Sequence, residues 1–347
     1  MKGKKLYILI SLVMIVAMIC TVSFILFKEN NKNLYLSVLV NSYETNETMI
    51  MNVNCLDVTN KNVENVADIK YTSQYPLSVY DKKHDIVYYA ACVDDNDTKG
   101  DQLFSYDIQK KATTQLTTDI YAINYIYPVD DGVYLIVAMK GTHHLTLAKY
   151  EFSTKKLLVY DTLGKWNFEL MTYDVFSGRI FAAACLAEEQ NKALDDANEA
   201  GAKYIAPNYT VFEFTDDFYN PVIVMETERK LIRRMASRPD GKMFITLADS
   251  IPEWDPDYFS YILDTDTKEL TPTYNIDEVM FVSEFLYYLS DDSNVYFIGV
   301  DEDNDKSIRG LYSFNLDNHR LELIMSTDKG FMNSCFVFSE LGFLRLD

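Results

Sequence analysis

The amino-acid sequence predicts an all-β protein, a six-bladed β-propeller of four-stranded antiparallel blades, preceded by one N-terminal transmembrane helix. Three observations predict this architecture: a short apolar motif that recurs along the chain, turn-forming residues before each copy, and one long apolar run at the N-terminus. The 347 residues include 26 Tyr and 20 Phe but only 12 Gly and 8 Pro. Because aromatic side chains are enriched in strands, this composition favours the all-β interpretation.

The apolar run covers residues 6–27 and contains no charged side chain. At about 1.5 Å per residue, a helix of this length crosses the roughly 30 Å hydrocarbon layer of a membrane. Lysines in residues 1–5 precede it, so we expect a short cytoplasmic tail at 1–5 and a linker at 28–33 that leads to an extracytoplasmic domain. The expected location is the cell membrane, with a single pass. Secretion after cleavage of a signal peptide is the alternative.

The apolar motif recurs at Val87, Val133, Ile180, Met243 and Val295. Each copy is typical of a strand that is buried on both faces, and a turn sequence rich in Asp, Gly, Asn and Ser stands just before it. A strand of alternating character, a second tight turn and a final strand follow. This unit recurs at intervals of about 50 residues, as expected for the four-stranded blade of a propeller.

The predicted propeller extends over residues 34–347. We expect the C-terminal segment 331–338 to be an inner strand that pairs with the first blade at Leu34 and closes the ring, since an open sheet edge invites aggregation. Residues near 186–208 form an insertion whose Ala, Glu, Lys and Leu content predicts a short helix. The short apolar segment 342–346 has no place in this scheme.

Residues 237–245 read Ser-Arg-Pro-Asp-Gly-Lys-Met-Phe-Ile. This segment resembles the Ser-Pro-Asp-Gly-Lys element and following apolar strand of TolB-like β-propellers and their WD-repeat-like relatives. The resemblance extends over residues 34–347 as a layout of strands, and the other blades match in hydrophobic pattern only. It implies the fold and does not imply an activity.

The loops that join the second and third strands of each blade lie on one face of a propeller, and in this chain they are acidic. The turns that join the third and fourth strands lie on the opposite face and carry lysines, for example at 110–111 and 155–156. We expect the acidic face to bind a protein, a peptide or a glycan, with Trp254 as an aromatic contact of the kind enriched in binding hot spots. Solvated loops without a ligand are the alternative. The residues expected on this binding face are Asp94, Asp95, Asp97, Asp101, His143, His144, Trp254, Asp255, Asp257, Asp301, Asp303 and Asp305.

The charge balance disfavours one class of partner. Asp and Glu number 52 against 32 Lys and Arg, which gives a formal net charge of −20 that repels the phosphates of nucleic acids. No cofactor is expected. Asp301, Asp303 and Asp305 have the spacing of a calcium loop, but Lys306 stands where an EF-hand requires Gly, so an EF-hand is excluded. A weaker calcium site is the alternative, and the sequence does not predict which metal, if any, is bound.

No catalytic residue can be assigned. The sequence contains no nucleophile elbow, phosphate-binding loop, zinc-protease helix or dinucleotide loop, and its five cysteines lack the spacing of a zinc site. The predicted function is therefore a membrane-anchored extracytoplasmic binding or scaffold module. The alternative is a propeller enzyme, a hydrolase or lyase, with its site at the central channel. Exposed aromatic side chains on a broad face favour the first, and converging Arg, His or carboxylate groups in a deep channel favour the second.

Overall fold

The structure is a computed structural model. The expected tail at 1–5, anchor at 6–27 and linker at 28–33 lie outside the residues that it describes, as does the apolar segment 342–346. In the part of the chain that is described, no helix has both the length and the apolar character to cross a membrane. The described residues are 34–44, 48–93, 100–142, 144–174, 177–200, 203–215, 218–251, 257–276, 281–282, 289–290, 293–301, 308–327 and 330–339.

The strands form six antiparallel sheets, which we number as blades from the N-terminus. Blade 1 consists of β25 (Phe331–Ser339), β1 (Leu34–Tyr43), β2 (Met49–Asp57) and β3 (Asn62–Lys70). Blade 2 consists of β4 (Ser78–Asp81), β5 (Ile86–Cys92), β6 (Asp101–Asp107) and β7 (Ala112–Gln115). Blade 3 consists of β8 (Ile120–Val129), β9 (Gly132–Met139), β10 (Leu145–Glu151) and β11 (Lys156–Val159).

The remaining three blades follow the same order, from the innermost to the outermost strand. Blade 4 consists of β12 (Trp166–Tyr173), β13 (Ile180–Leu186), β14 (Tyr209–Phe214) and β15 (Val222–Glu226), with helix α1 (Ala187–Ala200) between β13 and β14. Blade 5 consists of β16 (Leu231–Ser237), β17 (Lys242–Ala248), β18 (Tyr258–Asp264) and β19 (Leu270–Pro272). Blade 6 consists of β20 (Phe281–Val282), β21 (Leu289–Ser290), β22 (Asn294–Asp301), β23 (Ile308–Asn315) and β24 (Leu321–Ser326).

The six-bladed propeller of four-stranded blades is thereby confirmed. Blade 6 departs from the pattern in one respect, since two short strands, β20 and β21, both pair with β22 at the position of its innermost strand. The innermost strands contact one another in the order β25, β4, β8, β12, β16 and β21, and β21 in turn contacts β25. The contacts therefore run around a closed circle and enclose a central channel.

The C-terminal strand closes this ring, as the sequence predicts. β25 pairs with β1 in antiparallel register, from Leu34 opposite Ser339 to Asn41 opposite Phe331. Blade 1 therefore takes its innermost strand from the C-terminal end of the chain and its other strands from the N-terminal end. Pairing with β25 covers the edge of β1 that would otherwise be unpaired.

The second strand of each blade forms the core because its apolar side chains are buried on both faces. In β9, for example, Val133, Leu135, Ile136 and Val137 are all 0% exposed. Burial of this kind contributes roughly 25 cal/mol per Å² of apolar surface. Hydrogen bonds between adjacent blades supplement it: the backbone N–H of Tyr80 donates to Ser37 Oγ at 2.9 Å.

The order of the strands defines two faces. The loop face holds the connections from second to third strands and from one blade to the next, and the turn face holds the tight turns. β1 is a second strand, so it starts at the turn face and ends at the loop face. Leu34, the first residue of β1, therefore lies at the turn face.

Candidate functional site

Most of the residues predicted for the binding face belong to loops that the structure does not describe. Of the others, Asp301 ends β22 and Asp257 lies just before β18, where its backbone N–H donates to Asp249 Oδ1 at 3.0 Å. The half-buried His144 ring lies against Gly164, in the connection between blades 3 and 4. The predicted residues outside the described ones are Asp94, Asp95, Asp97, His143, Trp254, Asp255, Asp303 and Asp305.

Asp101 has a different position from the one expected. Its side chain is 0% exposed, and both carboxylate oxygens accept the backbone N–H of Gln74 at 3.1 Å. The carboxylate holds the connection between blades 1 and 2 in place and does not reach the surface of the loop face. Within the described ranges, no three metal-binding side chains come together.

Three bulges in the innermost strands create a group of polar side chains that the sequence did not predict. The strand register shifts at Asn124 in β8, at Glu169 in β12 and at Arg233 in β16. Each of these residues is partly exposed, although the residues on both sides of it are buried. Since the innermost strands surround the channel, the three bulged positions are arranged around it, and a bulge re-aims the side chain at each.

These bulges lie at the same level of the channel. Each falls opposite the fourth and fifth residues of the apolar motif in the neighbouring second strand, in three consecutive blades. The partner pairs are Ile136 and Val137, Ala183 and Ala184, and Thr246 and Leu247. We call Asn124, Glu169 and Arg233 the channel triad.

Glu169 is held by three hydrogen bonds. Tyr209 Oη donates to its Oε2 at 2.7 Å, and its Oε1 accepts from Asn167 Nδ2 at 3.3 Å and from Gln190 Nε2 of α1. Burial raises the pKa of Glu169, and these hydrogen bonds and the charge of Arg233 offset only part of that effect. Burial also raises the pKa of Tyr209 well above its usual value, so this phenol remains a donor at neutral pH.

Arg233 carries a charge without a counter-charge in contact. Its Nε is buried and has no hydrogen-bond partner, and no described residue forms an ion pair with it. Its positive charge nevertheless contributes to lowering the pKa of Glu169 in the adjacent blade. The adjacent Arg234 is 3% exposed and its guanidinium lies 5.3 Å from the ring centroid of Tyr258.

Large apolar side chains are exposed across the loop face. Leu163, between blades 3 and 4, is 94% exposed, a large value for a leucine in a folded domain. The loop-face ends of β1 and β8, the connection between blades 1 and 2, and the segment after α1 contribute others. These are Tyr43 at 63%, Tyr121 at 46%, Tyr75 at 59% and Ile205 at 58%. All five residues lie in connections or strand ends of the loop face.

Two concave regions also open at the loop face. One, of about 520 Å³, lies between α1 and the segment that follows it, with Ala193, Ala197, Ile205 and Arg229 in its walls. Ion pairing of Lys203 Nζ with Asp249 Oδ2 at 2.9 Å ties that segment to blade 5. The other, of about 600 Å³, lies between blades 6 and 1 and is lined by Ser42, Tyr43, Asn52, Asn54, Met325 and Thr327, among others.

Comparison with solved structures settles the fold. The chain matches TolB from Acinetobacter baumannii with a TM-score of 0.56 at 12% identity, over 87% of this chain and 66% of that one. The fold is that of a TolB-like β-propeller. A chain in the crystal structure of a nidogen/laminin complex matches with a TM-score of 0.53 at 8% identity, over 88% of this chain and 99% of that one. The β-propeller domain of the trilobed protease from Pyrococcus furiosus matches with a TM-score of 0.51 at 11% identity, over 85% of this chain and 82% of that one.

These likenesses establish the fold and no activity, since every identity is low. No family profile matches the sequence, and a comparison with curated proteins finds no match. In this propeller, the channel triad could not be predicted from the sequence, because strict strand alternation does not reveal a bulge. The available signal was a polar residue in the otherwise apolar first strands, such as Glu169 between Phe168 and Leu170.

Proposed function

We propose that this protein is a membrane-anchored extracytoplasmic binding module whose loop face captures a protein partner. The exposed large apolar side chains on that face, above all Leu163, support the proposal. The position of Leu34 supports it as well. Because this residue lies at the turn face, an anchor at residues 6–27 would leave the loop face pointing away from the membrane.

The chemistry of the loop face defines the partner. Exposed Tyr and Leu side chains provide apolar contacts, and α1, on the same face, carries acidic side chains such as Glu188 and Asp195. We therefore expect a partner with an apolar centre and basic residues at its rim, for which opposite charges increase the association rate. The nidogen/laminin structure shows that a propeller of similar fold occurs in a protein complex, which is a property of that protein.

The location is tested with a single cysteine introduced as Leu163→Cys in the full-length chain, because this side chain is almost fully exposed. A membrane-impermeant maleimide should label the variant in intact cells, since the loop face lies outside the cytoplasm. The unsubstituted chain, in which Cys55 and Cys185 are buried and Cys92 is half-buried, gives the background labelling that the variant must exceed. Labelling that requires permeabilised cells would contradict the extracytoplasmic location.

Partner binding is tested by photo-crosslinking from full-length protein in native membranes. A photoreactive residue at position 163 should crosslink to one protein, whereas the same residue at Val222, exposed by 51% on the outer strand β15, should not. Leu163→Ser should weaken binding of that partner by about tenfold or more, as expected for a hot-spot contact, and Val222→Ser should leave it unchanged. Equal crosslinking from both positions, or equal affinities of both variants, would refute the proposed binding face.

A further inference from the structure

We propose that the channel triad binds a small zwitterion, a free amino acid or an ω-amino acid, with the ligand carboxylate on Arg233 and its ammonium group on Glu169. This inference is separate from the proposed function, because it concerns the central channel and not the exposed side chains of the loop face. It rests on the three aligned bulges and on the unpaired guanidinium.

Arg233 provides the anion site. Arg233 is partly exposed, its Nε is buried without a hydrogen-bond partner, and no described residue forms an ion pair with it. A buried donor of this kind is ordinarily satisfied by a partner. A carboxylate fits the side of a guanidinium with two parallel hydrogen bonds, one of which would come from Nε.

Glu169 provides the cation site. Tyr209, Gln190 and Asn167 fix the orientation of its carboxylate. Oε1 already accepts two hydrogen bonds, whereas Oε2 accepts only that of Tyr209 and can still accept from an ammonium group. Burial raises the pKa of this group because Arg233 is not close enough to offset the loss of water. A ligand ammonium would supply the missing positive charge.

The arrangement favours one ligand with two charges over two separate ions. Glu169 and Arg233 occupy equivalent positions in adjacent blades and do not form an ion pair with each other, so a gap separates their charges. Asn124 holds the equivalent position in blade 3. A zwitterion that spans the gap satisfies both charges together, and such a ligand gains affinity because its two groups are already linked.

The test measures binding to the full-length protein by isothermal titration with a series of probes. Acetate and ethylammonium each carry one charge, and glycine, γ-aminobutyrate and ε-aminocaproate carry both at increasing separation. We expect at least one zwitterion to bind about tenfold or more tightly than either single-charge probe. The proposal is overturned if no zwitterion exceeds acetate and ethylammonium.

Substitutions locate the site. Arg233→Gln and Asn124→Ala should each reduce the affinity of the best zwitterion, with Arg233→Gln also removing acetate binding, and Glu169→Gln should remove the ammonium preference. Arg229→Gln is the matched control, since Arg229 is an exposed arginine on the loop face. Equal losses in Arg233→Gln and Arg229→Gln would assign the binding to non-specific charge and refute the site. Leu163→Ser should bind the zwitterion normally, so a failure of the loop-face proposal is distinguishable from a failure here.

Discussion

The turns that join third and fourth strands place a lysine or histidine in the left-handed backbone region. In these turns φ is +50° at Lys61, +52° at Lys111, +56° at Lys155, +64° at Lys268 and +57° at His319. Four residues earlier stands an acidic residue or Asn, and its side chain or carbonyl accepts N–H groups of the same turn. Backbone N–H donors lower the pKa of Asp57 and Asp264 in this way. The lysines that the sequence places on this face therefore lie beside carboxylates.

Replacing one of these lysines by glycine removes the conformational strain of a positive φ angle. Left-handed conformation costs a non-glycine residue roughly 1–2 kcal/mol, while glycine adds about 0.4–1 kcal/mol of entropy to the unfolded chain. We expect Lys111→Gly to leave the free energy of unfolding unchanged or raise it by up to about 1 kcal/mol. Lys110→Gly, in the same turn but at negative φ, should lower it by about 0.5–1 kcal/mol. Urea unfolding measures both, and equal losses would contradict the strain argument.

Glu169 makes the free energy of unfolding fall as pH rises. The turn carboxylates, whose pKa values are lowered on folding, have the opposite effect. Its pKa is raised on folding, so above its unfolded pKa the folded state holds more protons than the unfolded state. Stability from this group is complete below the unfolded pKa and is lost as pH rises through the folded pKa. Each unit between the two values corresponds to about 1.4 kcal/mol.

Glu169→Gln should remove this dependence, since a neutral amide of similar shape has no proton to lose. We expect the melting temperature of the variant to exceed that of the unsubstituted protein at about pH 8, and the difference to shrink towards about pH 4. Calorimetry across that range measures it. A constant difference at all pH values would show that Glu169 does not titrate with a raised pKa.

The seam between blades 6 and 1 depends on Gly330, just before β25. Its φ is +80°, and a Cβ atom there would lie 1.8 Å from the carbonyl oxygen of Asn41 in β1. Alanine at this position would therefore combine left-handed strain with a backbone clash in the pair of strands that closes the ring. Gly141 provides a matched control, since its φ is +79° and a Cβ atom would meet nothing within 4 Å.

Gly330→Ala should lower the free energy of unfolding by more than about 3 kcal/mol, because the strand β25 must shift to accommodate it. Gly141→Ala should lower it by about 1–2 kcal/mol, from backbone strain alone. Urea unfolding of both variants gives the comparison. Equal losses of unfolding free energy in the two variants would show that the strands move apart at no energetic cost and that the close contact at Gly330 does not affect stability.

The strands themselves were predictable because they repeat. Each apolar pentapeptide such as that at Val133, with a turn before it, forms the second strand of a blade. The C-terminal segment was recognisable as the inner strand that blade 1 lacks. Side-chain positions at irregular points were not predictable. Asp101 follows an acidic loop in sequence, yet it starts β6 and turns inward to cap the backbone of Gln74. Glu169 reached the channel through a register shift that alternation does not encode.

Closure of the ring gives the molecule its two faces, its channel and the position of Leu34 at the turn face. Without it, the channel triad would not surround a common space, and exposed side chains such as Leu163 and Tyr75 would not share one surface. The proposals on partner binding and on the zwitterion both depend on this closure, which rests on β25 pairing with β1.

A single substitution tests that pairing, because Val38 of β1 stands opposite the native Cys335 of β25. Directly opposite residues of antiparallel strands have Cβ atoms about 4.5–5.5 Å apart, close enough for a disulfide after small adjustments. Leu39→Cys is the control, since Leu39 stands opposite Ser334 and points to the other face of the sheet. After mild oxidation, peptide mapping by mass spectrometry should find Val38→Cys linked to Cys335, and Leu39→Cys not linked to it. A free Cys335 thiol in the Val38→Cys variant, with the protein folded, would contradict the closed ring.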